Sequence, residues 1–369
     1  MNKIKNFIAN KKNHGFLIPI IAILLGFLVG SLIMLFTGLN PKDLFISLIR
    51  AITGINVNNI GTGKETFNAR YIGEYFVYVM PLILTGLSVA FAFRTGLFNI
   101  GAEGQVMLGA FMATYVALTV NLPKPILLPA VIISGALAGA LWGFIPGILK
   151  AKFNVSEVVV TIMLNYVGLY TTNYFIRSLP GSTSTRTVDL PAASLLKSDL
   201  LAGLTNNSRL HYGFIVVILA VLAFWFIIEK TTFGYELKSV GYNPFASRYA
   251  GMKVERNAAL SMAIAGAFSG LAGAILVSGT FGYGRVLGSF ENYGFDGIAV
   301  ALIGGSTAFG SVLGGLLFGA LKAAQPIMQI NRIPRDIAII IIASIVIFIA
   351  MRNGIKMALE KVKVKEVEK

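Results

Sequence analysis

The side chains able to do chemistry in this sequence are few, and they are polar groups set within apolar runs. Asn99, Glu103 and Gln105 stand at the start of one run, and Asn99 and Glu103, four apart, share a helix face if the helix begins early. Glu157, Thr161, Asn165, Gly168 and Thr172 advance by four, four, three and four residues. That spacing traces one stripe of a helix, with Tyr166 and Asn173 beside it. Asp296 stands in a third run, with Asn292 and Ser306 near it. Polar groups in hydrocarbon are costly and persist where they face a cavity or a neighbouring helix. Two uses fit: the lining of a path for a polar solute, or hydrogen bonds that join helices at about 0.6–2 kcal/mol each. Glu103 and Glu157 favour joining, because both are expected near a basic end, where a glutamate caps a helix or pairs with Arg94 or Lys152. Asn165 and Asn173 leave both uses open.

Bond-making signatures are absent. The run Gly61-Thr62-Gly63-Lys64-Glu65-Thr66 lacks the first glycine of a phosphate loop, and no H-E-x-x-H, C-x-x-C or G-x-S-x-G occurs. With no cysteine, disulfide and thiolate chemistry are excluded, and two histidines, His14 and His211, cannot form a histidine metal cluster. The chain is expected to be no enzyme and to carry no cofactor or metal of its own.

The elements that must position these groups follow from composition. The 369 residues are 56% hydrophobic and 13% charged, with mean hydropathy +0.76. A soluble domain carries about a quarter charged residues. Repeated apolar runs of about 20 residues account for the difference, each long enough to cross roughly 30 Å of hydrocarbon as a helix. A β-barrel would alternate in segments of about ten residues, and these runs are continuous. The expectation is an all-α polytopic membrane helical bundle forming one domain over residues 1–369. The net charge of +15 sits in loops and tails, where it orients the chain and meets anionic membrane lipid. No aromatic-bearing basic stretch suggests a nucleic-acid partner.

Ten membrane segments are expected. They are Phe16–Gly38, Glu74–Phe93, Val106–Val120, Ile126–Leu149, Val158–Ile176, Tyr212–Ile228, Asn257–Gly279, a broken helical hairpin counted as two within 280–335, and Ile337–Met351. The first is too long for the core of a cleavable signal peptide. Pro41 and the residues after it read as a short amphipathic surface helix. Gly135, Gly139, Gly143 and Gly147 line one helix face and let another helix approach closely. Basic tails place both termini in the cytoplasm, with residues 39–73 and 177–211 extracellular. Arg332 and Arg335 then fall outside, against that rule.

One long segment is not apolar. Residues 229–256 form a polar, basic island between two hydrophobic spans, longer than a mere connection needs. It reads as one or two short helices that seat in a cleft of a cytoplasmic ATPase. Ala246, Tyr249 and Ala250 present a small apolar face, ended by Gly251. The plainer alternative is a solvated basic loop.

The stretches GLFNIGAEGQVMLGAF (96–111), SEVVVTIMLNYVG (156–168), SVGYNPFASRYAGMKVERNAALSMAIAGAFSGLAGA (239–274) and GFDGIAVALIGGSTAFGSVLGG (294–315) carry a family likeness. They resemble the permease subunits of ABC importers, in the group that includes branched-chain amino-acid, ribose and nucleoside permeases. The likeness covers most of residues 75–350, and the 156–168 stretch and the long first outer segment look most like the nucleoside permeases. It implies four things: a bacterial cell membrane location, a partner ATPase that binds ATP and Mg, a second non-identical permease, and an extracellular substrate-binding lipoprotein. By the same likeness, Gly241–Val254 is the segment coupled to the ATPase, with Asn243, Ala246, Arg248, Tyr249 and Gly251 at its matching positions. Phe98, Asn99, Glu103, Gln105, Thr161, Asn165, Tyr166, Asn173 and Asp296 are the candidates for the substrate path. Phe98, Tyr166 and Tyr170 could stack on a base at about 1–3 kcal/mol each, although such residues are more often core. The alternatives are the same machinery serving a simple sugar or a branched-chain amino acid and, more distantly, an ion-coupled secondary transporter, which calls for paired charges in mid-span.

Overall fold

A computed structural model describes residues 13–360. The described residues hold fifteen helices and only three isolated β-bridges. The chain divides into two compact units, Met1–Ile49 with Ala324–Lys369, and Arg50–Ala323.

The first unit contains α1 (His14–Phe36), most of α2 (Pro41–Thr53), the end of α13 (Ala308–Ile330), α14 (Asp336–Ala350) and α15 (Arg352–Glu360). Gly26 and Gly30 of α1 lie directly under Ile345 and Ile341 of α14, with no room for a Cβ. Glycine lets apolar helices touch backbone to side chain where hydrophobicity gives no preference between helix and lipid.

The second unit holds the remaining long helices: α3 (Ala69–Arg94), α4 (Ala102–Thr119), α5 (Lys124–Phe153), α6 (Glu157–Ser178), α8 (Gly213–Lys230) and α11 (Val254–Ile275). Between them lie the short α7 (Asp199–Leu204), α9 (Thr232–Tyr242), α10 (Pro244–Tyr249) and α12 (Tyr293–Ile303). Their ends follow local chemistry. Asn68 caps α3 by accepting from the Arg70 N–H. α5 starts after Pro123, ends with Lys150 and Lys152 beside its negative pole, and closes on a left-handed Asn154. The glycine face of α5 meets α11 as its spacing predicts: a Cβ at Gly135 would lie 2.7 Å from that of Ala274, and one at Gly147 2.8 Å from that of Met262.

Six described helices are long and apolar enough to cross a membrane, or seven if the bent pair α14–α15 is one span. Ten expected segments each meet a helix. The three that fall short are α4 and α6, which carry the polar groups, and α12, which has only 11 residues.

The broken hairpin is less regular than expected. α11 runs into a π-helical turn, Leu276–Phe281, and Gly282 turns the chain at φ 82°. Residues 283–292 are largely extended and lie against the loop after α6. Thr187 N–H donates to Gly284 O at 2.9 Å, Leu190 N–H to Gly282 O at 2.8 Å, and Val286 N–H to Thr185 O at 2.8 Å. Only then does α12 begin. It runs along α3 with Gly297 on Thr85 and reaches Arg94, whose Nε donates to Ser306 O at 2.7 Å. A turn at 304–307 sends α13 back along α3, where Tyr75 OH donates to Leu316 O at 3.0 Å. The hairpin thus returns to the end where it started, and its first limb is half extended chain and half helix.

Candidate functional site

The polar side chains converge on two stretches of non-helical backbone. The first is residues 95–101, which turn back into the bundle after α3. Thr95 and Ser261 hydroxyls meet at 2.7 Å. Asn99 Nδ2 donates to Ser88 Oγ at 3.0 Å and pairs with the Gln105 amide in both directions, at 2.8 and 3.0 Å. Ser88 lies six residues before Arg94, so the chain has climbed back by about 9 Å. Asn165 on α6 holds the same turn from outside: its Oδ1 accepts from Gly104 N–H at 2.8 Å and its Nδ2 donates to Ile100 O at 3.0 Å. Thr161 bonds its own Glu157 carbonyl at 2.7 Å and packs on Gly101.

The second stretch is residues 285–294. Glu103, only 2% exposed, accepts from the N–H groups of Glu291 and Asn292 at 2.9 Å each and of Gly294 at 2.6 Å. The Glu103 oxygens therefore cap α12, accepting the N–H groups that its first turn leaves without intrahelical partners. Asn173 exchanges two bonds with the Leu287 backbone, at 2.7 and 2.8 Å. Buried backbone donors and acceptors require such partners wherever helix or sheet does not supply them.

These positions correct part of the sequence reading. Glu103 does cap a helix, but not at the basic rim. It sits at the start of α12, whose Gly297 lies on Thr85, nine residues or about 14 Å along α3 from Arg94. Glu157 stays at the rim, where it pairs with Lys150 at 3.2 Å rather than with Lys152. Asp296 faces Lys322 at 2.5 Å, and the Lys322 ammonium also lies 5.0 Å from the Tyr293 ring centre. Asn292 and Ser306 give Asp296 no side-chain partner; its backbone N–H donates to Asn292 O at 2.9 Å. Sequence reasoning missed Lys322, although a lysine within the apolar run of α13 was a visible signal. It also missed the Arg285–Glu291 ion pair, where Arg285 stacks over Phe281 at 3.5 Å.

The aromatic candidates separate. Phe98 stacks on Phe93 at 5.1 Å, within the bundle. Tyr166 is half exposed, meets Phe290 edge-on at 5.0 Å, and Phe290 meets Phe295. Tyr170 and Tyr174 follow on the same helix face at four-residue steps, 69% and 70% exposed. α8, by contrast, exposes Ile215, Ile218, Leu219, Leu222 and Phe226. One outward face offers phenol hydroxyls and the other only hydrocarbon.

The island folds as two helices. Thr231 caps α9 and Asn243 caps α10, the latter by accepting from the Phe245 and Ala246 N–H groups at 3.0 Å each. Gly251 ends the unit at φ 81°. Gly241 packs directly on the carbonyl of Arg94, so α9 rests on the end of α3. Arg248 pairs with Glu255. Tyr242, Phe245 and Tyr249 project outward, 90%, 78% and 99% exposed. A cavity of about 450 Å³ beside them is lined by Gly96, Lys150, Gly241, Phe245 and Arg248 among others.

A helical bundle with clamped, irregular backbone between long apolar helices is the architecture of a multi-pass membrane protein. Residues 71–351 match the family described as branched-chain amino acid transport system / permease component, and the chain belongs to that family. It is 46% identical to the guanosine ABC transporter permease protein NupP of Bacillus subtilis (strain 168), over 96% of this chain and 99% of the relative. It is 39% identical to the nucleoside ABC transporter permease protein NupB of Lactococcus lactis subsp. cremoris (strain MG1363), over 96% of each. The guanosine ABC transporter permease protein NupQ of the same Bacillus strain is 28% identical over 71% of this chain and 83% of its own length. Two guanosine permease proteins in one strain indicate that such transporters use more than one permease subunit.

Proposed function

We propose that this chain is the membrane-spanning permease subunit of a bacterial ATP-binding-cassette importer and forms one wall of a translocation path for nucleosides. The observation that carries the reading is the outward face of α6. Tyr166 packs on Phe290 of the clamped 285–294 stretch and, with Tyr170 and Tyr174, turns exposed phenol rings outward, where hydrocarbon would leave their hydroxyls without partners. The nucleoside class rests on near full-length similarity to permeases whose names carry guanosine and nucleoside. Tyr166, Tyr170 and Phe290 offer aromatic faces to a base. Asn99, Glu103, Gln105, Thr161, Asn165 and Asn173 shape the wall by fixing backbone. Phe98 and Asp296 belong to its supporting packing.

The second permease, a non-identical relative, supplies the facing wall. A cytoplasmic ATPase that binds ATP and Mg grips α10 through Asn243, Ala246, Arg248, Tyr249 and Gly251. An extracellular lipoprotein delivers substrate to residues 39–73 and 177–211, and both termini are cytoplasmic. Hydrolysis happens on the partner, so this chain performs no bond chemistry. The Asp296–Lys322 pair is internally neutralised and is read as packing, not as an ion-coupling relay.

The test is uptake of radiolabelled guanosine and uridine by cells lacking this gene, with and without its restoration, in competition with unlabelled ribose, glucose and leucine. Uptake lost on deletion, restored by the gene and blocked by nucleosides alone is the expected result. Unchanged nucleoside uptake in a strain without a redundant system would overturn the substrate. Competition by a sugar or by leucine would move the assignment to that class.

A further inference from the structure

Two cavities of the Arg50–Ala323 unit share Leu210 in their walls and differ in the polar groups they carry. The larger, about 650 Å³, is walled by hydrocarbon from α3, α8 and α13. It opens sideways, since Phe76, Ile218, Leu222 and Phe309 are 40–58% exposed. Along α8 it extends from the helix start to Leu222, about 14 Å, close to the depth of roughly 15 Å that one leaflet of hydrocarbon provides.

The smaller cavity, about 460 Å³, is mixed, with Lys197, Ser198, Ser208, Arg209 and Thr280 beside Leu210 and Phe281 in its wall. Arg209 is already committed to Glu74, its Nη2 donating at 2.6 Å. Asp199 also lines the cavity. Lys197 has no ion-pair partner among the described residues, and its Nζ is 3.0 Å from where a Cβ on Gly282 would stand. An unpaired ammonium and the Ser198 hydroxyl therefore line a cavity whose wall residue Leu210 also begins an apolar groove that fits one hydrocarbon chain.

We infer that this site holds one membrane phospholipid, with its phosphodiester at Lys197 and Ser198 and one acyl chain in the groove from Leu210 to Leu222. The phosphate matches the free cation, and Asp199 beside it suits a headgroup that also carries an amine. The chain fills a surface that α8 turns toward hydrocarbon. The inference is independent of which solute the protein transports.

The purified full-length protein is reconstituted into vesicles of phosphatidylglycerol, phosphatidylethanolamine or dioleoylglycerol, extracted into detergent, and the retained lipid is counted by native mass spectrometry. One retained phospholipid and no retained dioleoylglycerol are expected. Lys197→Glu lowers retention by roughly fivefold, and Lys197→Arg preserves it. Ile218→Trp, which fills the groove, abolishes retention, and the melting temperature of each variant confirms that it is folded. Phosphatidylethanolamine held more tightly than phosphatidylglycerol supports the role of Asp199. Equal retention of dioleoylglycerol, or retention indifferent to both Lys197→Glu and Ile218→Trp, overturns the site. No retained lipid overturns it, and a cysteine at 218 that cross-links to another permease chain would name a protein occupant instead.

Discussion

Glu103 shows how one side chain fixes a segment nearly 190 residues away. Three backbone N–H groups end on its carboxylate. Glu103→Ala leaves them in a buried setting without acceptors, at about 1–3 kcal/mol for each group that finds no water. A large fall in melting temperature and lost uptake are expected, with Glu103→Gln milder because one oxygen still accepts. His211 makes a pH prediction. It is 1% exposed, its Nδ1 accepts from Gly213 N–H at 3.1 Å, and its Nε2 is left to donate to Thr280 Oγ1 at 3.3 Å. A proton on Nδ1 would face that N–H, and burial, with Arg209 and Lys197 nearby, pushes the imidazole pKa down to about 4. The folded state thus binds the proton less readily than the unfolded state, so this contribution is fully present above about pH 6.5 and is lost as pH falls toward 4, on the order of 3 kcal/mol. Melting temperatures from pH 7.5 to 5 should fall in the wild type and stay flatter in His211→Gln; equal slopes would remove His211 as the cause.

At the scale of elements, the α5–α11 contact carries the clearest prediction. Gly139 lies against Gly270 Cα at a distance where a Cβ would stand 2.7 Å away. Gly139→Leu must force the helices apart, and loss of folded protein in the membrane is expected; Ala at the neighbouring, half-buried Ser134 should be tolerated. This contact was legible in the sequence, because four glycines at four-residue steps point one way on any helix. The ten apolar segments and the paired short helices of the island were legible for the same reason: periodicity and capping are local. The depth of Glu103 was not. It depends on residues 95–101 turning back into the bundle and on 283–292 entering as extended chain, and both are stabilised by partners far along the sequence. Lys322 was readable as an isolated lysine in an apolar run, but its pairing with Asp296 required the turn at 304–307 that lays α12 beside α13. Tyr166, Tyr170 and Tyr174 share a face by spacing alone, yet only packing shows which face stays open.

For the molecule as a whole, the two ends of the Arg50–Ala323 unit present different surfaces. At one end, α9 and α10 rest on α3 through Gly241 and project three exposed aromatic rings. At the other, the loop after α6 covers the extended limb of the hairpin. Tyr249→Ala together with Phe245→Ala removes no buried contact, so stability should change by less than about 0.5 kcal/mol. Co-purification of the ATPase and nucleoside uptake should nevertheless be lost. Intact uptake in that double variant would show that the motor grips elsewhere.

The half-extended limb also bears on how the chain is made. Residues 283–292 have little helical hydrogen bonding of their own, and α12 adds only 11 residues. Such a segment is a poor candidate for entering a bilayer alone. Every clamp it needs (Glu103, Asn173 and Thr187) is synthesised before it. The ribosome delivers the acceptors first, and the limb can fold into a membrane already furnished with them.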